Sequence, residues 1–375
     1  MSDLVIPNRV LVRRSYNPGS GESVAQVCDL FSKMEALKDP KDLIMPSQRL
    51  HVEFKEGRMF AGRITPGGVQ AGEYLFTRVG ARTLSTKILP PRGFGTLRHL
   101  AAIDGQGEKL ATLAWAKFAS ALEDDSSMVR TVNANVNGKP TRVIRSVHSS
   151  NYAPYSNLEF LRAVLDFGQH FAKCEVIHYA VTDEVMRVRL RGEETNGLVP
   201  VVELWNSEVG QRSVVLSSGL YNLRTESVVA HWASTGSKTW IHRGNPDRIA
   251  KELQAAFSTM FKAADDIRDM YVASLDAAID DAVSWLEGML DNRLGLAQIK
   301  AAKDNLVHAS VTKGGKVATL VDAVSLVGAH TSDPEEAAKV EAVAGLVLLQ
   351  GVRKAKEEAK AKSGVVAPAL DGVAA

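Results

Sequence analysis

The chain has 375 residues, with 45 Lys and Arg against 43 Asp and Glu, a net charge of +2, 45% hydrophobic and 23% charged residues. These are ordinary globular values, which exclude wholesale disorder and allow about two or three domains. Two cysteines, Cys28 and Cys174, exclude a disulfide framework and a four-cysteine zinc site, and no run of 18 apolar residues is present to span a membrane.

A reducing compartment is therefore expected, and Met1 to Leu4 lack a signal-peptide pattern. The charge is unevenly placed. Residues 1–150 carry 21 Lys and Arg against 14 Asp and Glu, residues 151–245 carry 9 against 10, and residues 246–375 carry 15 against 19. The local balances are +7, −1 and −4, so a basic N-terminal part precedes an acidic C-terminal one. Such asymmetry suggests an anionic partner, or two solvated surfaces that happen to differ.

Residues 1–21, with Pro7, Pro18 and Gly19, read as an arm. Val24, Val27, Leu30, Phe31, Met34 and Leu37 then recur at helical spacing over 22–38. From Leu50 to Ile103, Gly57, Pro66-Gly67-Gly68, Gly72, Gly80 and Pro90-Pro91 predict short strands and turns. Leu110–Leu122 reads as a helix. Met128–Val136 and Thr141–Val147 read as a hairpin around Asn137-Gly138. A helix over 156–172 would use Ser156 as N-cap and Glu159 as its capping-box partner.

Val185–Arg191, Leu198–Trp205, Arg212–Leu216, Val228–Trp232 and Lys238–His242 read as strands. After Pro246 an apolar stripe from Ile249 to Met289 predicts a helical rod of roughly 60 Å, unless it breaks in two. The last helix begins at Asp333, with Pro334 at its first position and Glu336 completing a capping box, and runs to Lys362. The small-residue tail 363–375 is expected to be disordered. The fold class is α+β: an antiparallel strand-rich core over 22–245 packed with helices, then a helical region over 246–362.

No phosphate-cradling loop, G-x-S-x-G elbow or H-E-x-x-H run occurs, so no nucleotide or other cofactor is expected. His170, Cys174 and His178 are spaced by four, but Gly168 and the apolar flank suggest a helix that ends close to Cys174, so the three would not share one face, and a buried thiol explains Cys174. Asp265, Asp266, Asp269, Asp276, Asp280 and Asp281 interleave with the apolar stripe and read as a solvated helix face, so no metal site is expected.

The sharpest pattern is Met186-Arg187-Val188-Arg189-Leu190-Arg191. Period two sends Met186, Val188 and Leu190 to a core and the three arginines to the other face, about 6.7 Å apart. Three guanidinium forks could take successive phosphates of a single strand. Alternatively, Glu203 on a neighbouring strand pairs with them. Arg142 and Arg145, followed by a polar loop with Tyr152 and Tyr155, offer cations and rings for phosphates and stacked bases, although loop tyrosines also pack inward. Arg92 and Arg98 flank Gly93-Phe94-Gly95 in a basic loop that could equally be a plain turn.

Residues 127–245 resemble the phage/plasmid-like family of unknown function numbered 932 (DUF932). The resemblance rests on Ser149-Ser150-Asn151-Tyr152-Ala153-Pro154-Tyr155-Ser156-Asn157-Leu158-Glu159 after the hairpin. It rests also on Asn206-Ser207-Glu208-Val209-Gly210 and on His242-Arg243-Gly244. Leu223-Arg224-Thr225-Glu226-Ser227 stands where many members carry Cys-Asn-Gly, so the resemblance implies a divergent member. The resemblance implies a phage, prophage or plasmid setting in the cytoplasm of a host cell; it implies no biochemical activity.

A strand-rich basic centre followed by a long helix is similar to the general plan of phage annealing proteins. The expected function is a non-enzymatic DNA-metabolism protein that binds single-stranded DNA, with strand annealing in recombination as its outcome, acting as a homo-oligomer. Its expected contacts are Arg187, Arg189, Arg191, Arg142, Arg145, Tyr152, Tyr155, Arg92 and Arg98. The alternative is a protein-interaction factor that redirects a host process through its acidic helical C-terminal region. An enzyme with an unfamiliar carboxylate site is a third reading.

Overall fold

The computed structural model describes residues 22–23, 32 and most of 43–362; it leaves out 1–21, 24–31, 33–42, 47–49, 56–57, 66–67, 123–125, 137–138, 169–174, 182–184, 232–236, 244 and 363–375. The arm, most of the 22–38 helix, both cysteines, His170 and the tail fall outside the described residues. Glu22–Ser23 itself is a short strand, β1, not the start of a helix.

The described residues form two large sheets and one two-stranded sheet. The first six-stranded sheet contains β2 (Leu43–Pro46), β3 (Leu50–Lys55), β4 (Arg58–Thr65), β5 (Gly68–Phe76), β6 (Ser126–Val136) and β7 (Lys139–Ser149). Its order is β2-β6-β7-β5-β4-β3, antiparallel except where β5 runs parallel to β7. The parallel pair requires a crossover, and the segment between β5 and β6 supplies it as three helices: α1 (Arg78–Ile88), α2 (Gly93–Ala101) and α3 (Gly107–Ser120). Leu84, Ile88, Leu97, Ala111 and Trp115 from these helices bury against Val52, Phe54, Tyr74, Val129 and Ile144 of the sheet.

The strands expected to continue to Ile103 thus give way to helices at Arg78. Glycine and proline misled the pattern. Gly80 sits inside α1 because a Cβ there would lie 2.2 Å from the Ile144 carbonyl oxygen, so the glycine permits close helix–sheet approach. Pro90-Pro91 merely separates α1 from α2. The helix expected at Leu110–Leu122 is α3, and the hairpin expected around Asn137-Gly138 is β6–β7, in register from Val136 opposite Lys139.

The second sheet has the order β1-β8-β9-β10-β11-β12, with β13 also on β11. Its strands are β8 (Glu175–Val181), β9 (Met186–Arg191), β10 (Leu198–Asn206), β11 (Val214–Asn222), β12 (Ser227–His231) and β13 (Ser237–Trp240), preceded by helix α4 (Asn157–Gly168). The α4 start follows expectation: Glu159 N donates to Ser156 Oγ at 3.0 Å and Ser156 N donates to Glu159 Oε2 at 3.0 Å.

The stripe after Pro246 breaks once. α5 (Pro246–Ser274) ends where Ala278–Ile279 pairs as β14 with Gly315–Lys316, β15, and α6 (Ala282–Leu290) follows. α7 (Leu296–His308), α8 (Val317–His330) and α9 (Pro334–Lys362) complete the chain. Asp333 caps α9, accepting from Glu335 N and Glu336 N at 2.9 Å; the Glu336 carboxylate accepts from Gln298 Nε2 at 3.1 Å.

Both faces of the second sheet are covered. Met186, Val188, Leu190, Val202 and Leu204 pack against Leu253, Phe257 and Met260 of α5 and Leu161 of α4. Leu198, Leu220 and Val229 enter the core built by α6, α8 and α9, and Trp205 meets Ala338 of α9. Strands before residue 245 and helices after it therefore share a core. The architecture is α+β, and no helix among the described residues is long and apolar enough to cross a membrane.

Candidate nucleic-acid interface

A strand covered on both faces cannot hold out its arginines. Arg187 and Arg189, expected on a solvent face, are buried, and this corrects the arginine ladder as a phosphate-binding surface. The pairing alternative is the one realised: Arg189 stands opposite Glu203 in the ladder, and its Nε reaches Glu203 Oε2 at 2.5 Å. Arg187 Nη2 reaches the same oxygen at 2.8 Å, and both arginines also pair with Glu341 of α9. Trp205 Nε1 donates to the other Glu203 oxygen at 2.5 Å, and the Arg187 and Arg212 guanidiniums lie 4.8 and 4.0 Å from the Trp205 ring. Burial opposes the charge on Arg189, but the Glu341 and Glu203 carboxylates more than offset it and hold it protonated. Arg191, at the strand end, is half-buried and donates to Gly192 O at 3.4 Å.

A second buried network joins the two sheets. Arg145 of β7 pairs with Glu208 Oε2 at 3.0 Å, Arg130 of β6 donates to the Glu208 carbonyl, and Asn157 N at the start of α4 donates to Glu208 Oε1 at 2.8 Å. Asn206 Nδ2 donates to Tyr155 O at 2.8 Å and Asn157 Oδ1 at 2.9 Å. Glu208 therefore serves one sheet as counter-charge and the other as helix cap. Arg145 and Tyr155, expected to contact nucleic acid, are consumed here, and burial pushes the Tyr155 phenol up, aided by Glu159 and Asp247.

Tyr152 stacks between two imidazoles, 3.9 Å from His148 and 5.3 Å from His242, and donates to Ser207 O at 3.2 Å. Gly210, at φ +70°, closes over the His148 ring, where a Cβ would approach Cε1 to 2.5 Å. Burial first, then the Arg130, His242 and Lys87 charges, push His148 down to about 4; burial lowers His242 as well. The residues that carry the family resemblance (Tyr152, Asn157, Asn206, Glu208, Gly210 and His242) thus meet at one inter-sheet joint. The Ser146–His148 contact of 2.9 Å is no nucleophile pair, because Ser146 is fully buried.

The exposed cations lie elsewhere. Arg92 and Arg98 are exposed, Arg92 in the left-handed conformation at the α2 N-terminus and Arg98 with its guanidinium 6.0 Å from the Phe94 ring. Arg78 and Arg82, one turn apart on α1, are exposed too, and Lys87 is half-buried, donating to Ser127 Oγ at 2.9 Å. Arg142 is exposed on β7, with Nη1 3.4 Å from Tyr74 Oη. Arg78 and Arg82 were missed, although the sequence holds a signal for them: residues 74–103 contain no Asp or Glu. Among the described residues no cluster of His, Cys, Asp and Glu is placed to hold a metal ion.

No protein-family model, curated protein or solved structure matches this chain.

Proposed function

We propose that the protein binds single-stranded DNA, without catalysis, through the exposed face of α1 and α2. The observation that carries this reading is a surface on which Arg78, Arg82, Arg92 and Arg98 are all exposed and which draws on thirty consecutive residues, 74–103, without a carboxylate. Like charges gathered on a segment without carboxylates repel each other, and a polyphosphate backbone relieves that repulsion. A strand held by its phosphates keeps its bases outward, which is the geometry strand annealing needs. The half-buried Phe94 beside Arg98 offers one ring for stacking. A phage or plasmid setting in a host cytoplasm rests on the resemblance alone.

The test is a titration of a labelled single-stranded oligonucleotide at several salt concentrations. Each phosphate contact contributes about 0.7 to the slope of log affinity against log salt, so replacing all four arginines by alanine is expected to flatten that slope by up to about 3. A folded quadruple variant that bound with the parent's affinity and slope would sink the assignment, as would a parent that fails to bind at low salt. The rate at which complementary strands anneal, with and without the protein, tests the annealing step.

A further inference from the structure

The surface of α3 is unusual for a helix packed on a sheet. Its inner side, Ala111, Trp115 and Ala119, is buried, yet Leu110, Leu113 and Phe118 are exposed on its outer side, Leu113 by 62%. Lys109 and Lys117 lie exposed among them. An open groove of about 450 Å³ runs along this helix between α3 and β3, lined by Phe54, Lys55, Lys109, Thr112 and Leu113, with Glu53 and Glu108. Leu110 and Leu113, three residues apart, are neighbours on the helix surface, and exposed apolar area of this kind beside a groove marks a contact surface.

A complementary surface exists at the far end of α5. Asp265, Asp269 and Val272 follow one another at helical spacing, and Leu275 and Asp276 continue the same face past the helix end. Val272 is 48% exposed, and Leu275, Asp269 and Asp276 are exposed with it. Arg268 pairs with Asp265 at 2.9 Å and Asp269 at 3.1 Å, so three carboxylates against one guanidinium leave this face with a net charge of −2. The α3 face and its groove, with Lys55, Lys109 and Lys117 against Glu53 and Glu108, carry the opposite sign, a net charge of +1. Within one molecule the two are separated: α3 packs on β3 and α2 of the first sheet, whereas α5 packs on β10 and β11 of the second.

We propose that a second copy of this chain docks the acidic end of its α5 onto the basic, apolar face of α3. Sign and apolar content both choose this occupant: each face carries two or three exposed apolar side chains, flanked by net charge of opposite sign. Val272 and Leu275 would cover Leu110 and Leu113, while Asp269 and Asp276 would meet Lys109 and Lys117. Because the two faces differ, the contact is head-to-tail, and each docked pair leaves one face of each kind available, which builds a ring or a filament. The contact uses none of the four arginines of α1 and α2, so it stands or falls independently of nucleic-acid binding.

The experiment is light scattering on the full-length chain, stripped of nucleic acid, over a range of concentrations. The parent mass is expected to grow with concentration and to shrink with added salt. Leu113→Glu and Val272→Glu, each on an exposed side chain, are expected to run as monomers with unchanged thermal transitions. An equimolar mixture of the two variants should give a dimer and nothing larger, since each keeps the face the other has lost. A parent that stays monomeric overturns the proposal. So does a variant that assembles like the parent, or a mixture that stays monomeric while the parent assembles; capture of a host protein by either face in a monomeric parent would mark a different partner.

Discussion

Arg187 and Arg189 on β9 and Arg78 and Arg82 on α1 are the same residue type in equally regular spacing, yet they meet opposite fates. The β9 pair lies in a sheet covered on both faces and is matched by Glu203 from the next strand and Glu341 from α9, a residue more than 150 positions away. The α1 pair lies on the outer side of a helix whose inner side alone is buried, and no acidic residue occurs within its segment. Spacing says which side chains share a face; it does not say what covers that face. A regular row of cations is therefore a surface only when the opposite side of its element already satisfies the core.

The sharpest way to break this comparison is to remove a counter-charge. Glu203→Ala leaves two buried guanidiniums facing Glu341 alone and is expected to destabilise the fold by about 3–5 kcal/mol in urea denaturation. The quadruple alanine variant at Arg78, Arg82, Arg92 and Arg98 should by contrast stay within about 0.5 kcal/mol of the parent for each residue changed. Equal losses at the two sites would erase the distinction.

A smaller effect is expected at the inter-sheet joint, where acid acts through His148. Its folded value of about 4 lies below the ordinary 6.5, so the unfolded chain takes up the proton first as pH falls. The contribution of the neutral imidazole is complete above pH 6.5 and is lost as pH falls from 6.5 toward 4. His148→Gln keeps a partner for Ser146 Oγ and removes the titration, so stability should depend less on pH in that window.

Tyr155→Phe is expected to change least. Tyr155 Oη is buried without a hydrogen-bond partner among the described residues. Deleting the hydroxyl abandons no bond and should shift stability by less than about 1 kcal/mol, toward greater stability. A substantial loss would show that the phenol has a function beyond packing.

Local signals were legible wherever the physics is local. The Ser156–Glu159 capping box, the Asp333 cap, the β6–β7 hairpin and the α3 periodicity depend on neighbours within a few residues, and all four elements stand where the sequence places them. The helices α1 and α2 were obscured because Gly80 breaks a pattern locally while serving a contact with Ile144, a residue distant in sequence. The break of the long stripe after Ser274 likewise depends on β15, supplied some forty residues later.

The candidate site divides in the same way. Sequence alone determined the α+β class, the residues of the motif segments and the concentration of positive charge toward the N-terminus. Tertiary structure alone decided which arginines face solvent. It brought Glu341 over β9 and Glu208 under Arg145, because a charge can leave water only where an opposite charge waits for it, and long-range packing sets that place.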